Sequence, residues 1–146
     1  MTIKRGFWWG KLSGILAGSV MSASGLALSI FVEAAWNGRL FTESDWFWQM
    51  IFLGFGGLFI GGFVGAILGT VLGLLIAWTQ LEPLATTIWS LAGAIVGLLI
   101  SLVPHELYSL LSPVVWVWLG GVIGWYCGHF FLNGGLAEKK TAVKTV

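Results

Sequence analysis

Two histidines, one cysteine and six carboxylates are all that this sequence offers for acid–base, nucleophilic or metal chemistry. His105 and Glu106 are adjacent and could begin a metal site, but two ligands fall short of the usual three or four. A single cysteine, Cys127, leaves no internal disulfide and no cysteine-based metal cluster. It lies between Tyr126 and Gly128 in an apolar run, where a buried, inert thiol is the ordinary state. His129 stands alone near the end of that run and is the one candidate cofactor ligand. An imidazole there reads as an interfacial hydrogen-bond donor; ligation of haem or chlorophyll is the rival reading. Glu33 follows the first apolar run as a boundary carboxylate, or as an entrance charge for a cation. No Walker loop, HExxH, CxxC, nucleophile elbow or dinucleotide fingerprint occurs. The reading is therefore of no catalytic residue, no metal and no cofactor.

The elements that would position these side chains are membrane spans. Hydrophobic residues make up 58% of the 146-residue chain and charged residues 9%. A soluble domain carries about 25% charged residues, so lipid is the solvent here. The net charge of +1 is too balanced for a nucleic-acid surface. A hydrocarbon core about 30 Å thick needs about 20 apolar residues as helix. Four runs meet that length: residues 12–32, 52–78, 83–103 and 113–132, followed by a polar tail over 133–146. The fold class is all-α, a single polytopic domain of four transmembrane helices. Pro83 and Pro113 suit first helical turns, Ser112 and Ser44 or Asp45 suit N-caps, and Asn133-Gly134-Gly135 reads as a C-terminal stop. The second charge-free run begins at Trp46 and is too long for one upright span. Its start, DWFWQ, reads as an interfacial lead-in, with a re-entrant turn at Gly54–Gly57 as the alternative. A short helix is conceivable between Pro104 and Ser112.

Lysine and arginine set the orientation. Lys4, Arg5 and Lys11 precede the first span, and Lys139, Lys140 and Lys144 follow the fourth. Arg39 alone lies on the other side, beside Glu33, Glu43 and Asp45. Both termini are expected in the cytoplasm of a bacterial cell, or in the stroma if the membrane is a thylakoid. Most of the ten tryptophans, Trp116 among them, fall near span ends at headgroup level, while Trp89 and Trp125 lie further in.

Glycine is a poor helix former in water, yet Gly57, Gly61, Gly65, Gly69 and Gly73 recur every four residues in the second span. Shorter stripes occur elsewhere: Gly10, Gly14, Gly18 and Ser22; Gly93, Gly97 and Ser101; Gly120, Gly124 and Gly128. Such glycine-zipper stripes let helix backbones approach where lipid supplies little hydrophobic drive. They serve packing within the bundle or a seam between copies. The stripe on the second helix rotates by about 160° from end to end, which predicts several partners and a central position for that helix. GGFVGAILG (61–69) and GGVIGWYCG (120–128) share one pattern, and GILAGSVMS (14–22) and GAIVGLLIS (93–101) another. A duplicated hairpin and convergence on a common packing pattern both produce this.

The function expected is that of a small, non-enzymatic membrane component: an accessory subunit, scaffold or assembly factor. Its partners would be the lipid bilayer and other membrane proteins or itself, met through glycine-rich faces. The alternative is a small oligomeric channel or transporter, with the hydroxyls of the first span lining the path.

Overall fold

A computed structural model describes residues 2–38, 45–102 and 113–143, with side chains as far as residue 133. Four α-helices occur among them: α1 (Ile3–Trp36), α2 (Asp45–Thr79), α3 (Ala85–Ser101) and α4 (Pro113–Val143). A 3-10 turn, Glu82–Leu84, leads into α3. Four helical stretches are long and apolar enough to cross a membrane: Ile3–Trp36, Asp45–Thr79, Glu82–Ser101 and Pro113–Asn133.

The helix ends follow local chemistry in part. Pro113 opens α4 as expected of a residue with no N–H to satisfy. Gly38 takes a left-handed φ of +67° just beyond α1, a backbone shape that side chains disfavour. Gln80 adopts φ +55° directly after α2, so the chain reverses there without a glycine. Two expectations are corrected. α4 does not stop at Asn133-Gly134-Gly135 but continues to Val143. The residues beyond, LAEKK, are strong helix formers and offset the cost of two glycines. α2 is continuous from Asp45, so Gly54–Gly57 makes no re-entrant turn. Ser44, Ser112, Arg39, Glu43 and the segment from Pro104 to Ser112 lie outside the described residues.

The helices pair as two antiparallel hairpins, α1 with α2 and α3 with α4, which meet along α1 and α4. In the first hairpin Gly6, Gly10, Gly14 and Gly18 face Gly73, Gly69, Gly65 and Gly61 in turn. At each pair, the place a side-chain carbon would take on one glycine is filled by the carbonyl oxygen of the other. Ser22 faces Gly57 at the next step. In the second hairpin Gly93 faces Gly120 in the same reciprocal way. Gly97 meets the Trp116 backbone, Gly124 that of Trp89, and Gly128 lies against Thr86 and Ala85. The two hairpins are thus built alike, but their registers differ. Residues that correspond by sequence pattern, Gly14 with Gly93 and Gly65 with Gly124, do not occupy equivalent rungs. α4 is displaced by one four-residue step.

This arrangement corrects the place of α2. It has one partner along its whole glycine stripe, and α1 and α4 form the centre. The rotating stripe demands several partners only if the partner is straight and parallel. A row of residues four apart is inclined about 26° to the helix axis, and a partner inclined along that row keeps contact throughout.

Among the described residues each hairpin also carries a hydroxyl bond between its helices. Ser19 Oγ donates to the Leu58 carbonyl at 2.8 Å, and Ser90 Oγ to the Gly121 carbonyl at 3.0 Å. Such bonds average about 0.6 kcal/mol in membrane proteins. Ser19→Ala and Ser90→Ala should each lower unfolding stability in mixed micelles by about that amount. The double variant should show the sum, since the sites share no partner.

Candidate functional site: a cleft between the hairpins

The two described candidates for acid–base chemistry, His129 and Glu33, lie far apart. His129 is exposed on the outer side of α4, its ring 4.4 Å from that of Trp125, one turn away. Glu33 is near the opposite end of the molecule, in the last turn of α1. His105 and Glu106 fall outside the described residues. Among the described residues no three His, Cys, Asp or Glu side chains come together as a metal would require. Cys127 is a free, buried cysteine among Trp89, Phe131 and Ile76.

What the fold does create is a cleft. α2 and α3 are joined by a short turn, yet beyond it they draw apart, because each is held by its own hairpin partner. The space between them has a volume of about 400 Å³, within the range of small ligand pockets. Ile60, Val64, Leu68 and Leu72 of α2 form one wall. Ala92, Val96 and Ile100 of α3 form the other. Glycines of both hairpins make the floor: Gly14, Gly18, Gly61, Gly65 and Gly69 from one, Gly93, Gly120 and Gly124 from the other. Among the described residues no ionisable side chain lines it.

Both ends of the cleft are fixed by side chains. At the end carrying the termini, Ile76, Ala85, Trp89, Cys127 and Phe131 close into one cluster. Trp9 and Phe130 stack edge to face beside it, at 5.6 Å, which places the start of α1 and the end of α4 together. Toward the far end, Met21 and Trp116 join α1 to α4 beneath Val96 and Ile100. Trp116 is only 1% exposed, and its ring occupies the space a side chain would need at Gly25. The indole N–H of Trp89 and the hydroxyl of Ser13 are buried without a hydrogen-bond partner among the described residues. A buried orphan donor costs about 1–3 kcal/mol.

The sequence stripes included every floor glycine, along with Gly57, Gly73, Gly97 and Gly128, which lie in the hairpin seams. They omitted Gly6, which extends the α1 stripe one step toward the N-terminus from Gly10, and Gly25. Continuing the four-residue count back from Gly10 would have found Gly6. Trp116, in the first turn of α4, is buried between helices where a half-wet indole is expected; nothing in its sequence neighbourhood distinguishes it from exposed Trp118. Trp125, placed further in by sequence, is half exposed on the outer side of α4.

No family model, curated protein or solved structure matches the chain.

Proposed function

We propose that this chain is a small, non-enzymatic integral membrane protein that docks a transmembrane helix of another membrane protein in the cleft between its hairpins. The observation that carries this reading is the geometry of α2 and α3, which stand apart over a floor of glycine backbone. Within each hairpin the glycine ladder acts as a zipper, where close approach brings dispersion and Cα–H···O contacts. The close approach within each hairpin leaves glycine backbone low between the walls, so an incoming helix would be held mainly by the apolar side chains of α2 and α3. An accessory subunit, scaffold or assembly factor would use such a surface. Both termini then lie in the cytoplasm, or in the stroma of a thylakoid, by the lysine and arginine count.

The channel reading draws less support. Ser19 of α1 donates to Leu58 on α2, and Ser24 and Ser29 donate to carbonyls of their own helix. These three hydroxyls serve the backbone, and Ser19 and Ser22 line different grooves.

A photo-crosslinking amino acid at Val64 or Val96 tests the docking reading in intact membranes. Both wall positions should give one discrete protein adduct, and Leu99, on the exposed side of α3, should give none. Adducts absent from both wall positions, or equally strong at Leu99, would overturn it. An adduct of twice the chain mass would replace the foreign partner with a second copy.

A further inference from the structure

The opposite face of the first hairpin carries a second groove, and it contains a cation. On α2, Phe55, Phe59, Phe63, Ile67 and Val71 form one rim, each four residues from the next. On α1, Phe7, Lys11, Ile15 and Ser19 form the other rim at the same spacing. Gly62 and Ala66 keep the floor low between them. The α2 rim extends about 24 Å along its helix.

Lys11 is the one charged side chain on this groove. By sequence it precedes the first span; in the structure it lies within the paired length of the hairpin, between Gly10 and Gly14, which face Gly69 and Gly65. An ionisable residue inside a span requires a partner or a route to water. Helical side chains lean toward the N-terminus of their helix, and the Lys11 ammonium is 5.7 Å from the centre of the Trp8 ring, one turn nearer the termini. Lys4, two turns from Lys11, falls on the same face and is exposed. The positive charge thus sits at the terminal end of an apolar channel that opens on lipid. The hydroxyls along that channel are already committed: Ser19 to Leu58, and Thr70 to the Ala66 carbonyl at 2.7 Å.

We infer that this groove binds one anionic phospholipid from the leaflet on the side of the termini. Its phosphate meets Lys11 above Trp8, and one acyl chain lies between the two rims toward Phe55. A net negative headgroup answers the charge and a chain fills the length; in a zwitterionic lipid the headgroup cation offsets the phosphate, so only the second is fully satisfied. This site is on the face of the hairpin away from the cleft, so it stands or falls independently of helix docking.

Native mass spectrometry of the purified protein, with phosphatidylglycerol or phosphatidylcholine added as probe, tests the inference. One phosphatidylglycerol should be retained about fivefold better than phosphatidylcholine, as expected for one lysine at the membrane surface. Lys11→Gln should remove that preference, and Lys11→Arg should keep it. Glycerol phosphate, which has no chains, should not compete at equal concentration. Equal retention of the two lipids by the unaltered protein would overturn the inference, whatever the variants do. So would an undiminished preference in a folded Lys11→Gln protein. Competition by glycerol phosphate would overturn the part played by the chain and leave a free-phosphate site.

Discussion

Gly65→Leu is expected to separate α1 from α2 and to cost at least ~3 kcal/mol in unfolding stability. A side-chain carbon at position 65 would occupy the place of the Gly14 carbonyl oxygen and lie 3.0 Å from the Gly18 Cα. These are backbone atoms, which cannot rotate aside as the end of a side chain does. Even Gly65→Ala should cost on the order of 1–3 kcal/mol, because the whole helix must move. Gly54 and Gly56 lie on the same helix with nothing within 4 Å of the corresponding carbon. Alanine at either should change stability by less than about 0.5 kcal/mol. Unfolding in mixed micelles, followed by circular dichroism and by energy transfer between labels on α1 and α2, measures both sets. If alanine at Gly65 and alanine at Gly54 behaved alike, close backbone contact would not be what holds the hairpin.

Trp116→Ala should weaken the joint between the hairpins while leaving each hairpin paired. Trp116 is among the largest fully buried side chains, and with Met21 it fills the space between α1 and α4. Truncating a buried tryptophan costs about 3–5 kcal/mol in soluble cores. The lower end is expected here, since lipid can enter the vacated space where water would not. Labels on α1 and α4 should move apart in the variant, and labels on α1 and α2 should not. A uniform loss of both distances would mean that the hairpins do not form independent pairs.

The four spans were legible because charge-free length is a direct consequence of bilayer thickness. The true start of α1 at Ile3 was not, because basic residues end a membrane span without ending a helix. Lys4, Arg5 and Lys11 all sit within continuous helix. The glycine stripes were visible as faces made for close approach. A stripe states that some backbone comes near, and does not state whose. The four-residue step between Gly57 and Gly73 fits one inclined partner as well as several straight ones. The cleft followed from that choice of partners and was invisible for the same reason. Trp116 illustrates the limit: an indole two residues from Trp118, buried where Gly25 leaves room for its ring and Met21 packs beside it.

The reciprocal glycine rungs from Gly6–Gly73 to Gly18–Gly61 have a thermodynamic consequence. Glycine has no rotamers, so pairing α1 with α2 along these rungs freezes almost no side-chain motion. The backbone freedom that makes glycine unfavourable in a soluble helix is lost earlier, when each segment becomes helical in the bilayer. Little water leaves apolar surface when the two faces meet, so the heat-capacity change on pairing should be close to zero. The hairpin should therefore hold together almost equally well in cold and warm membranes.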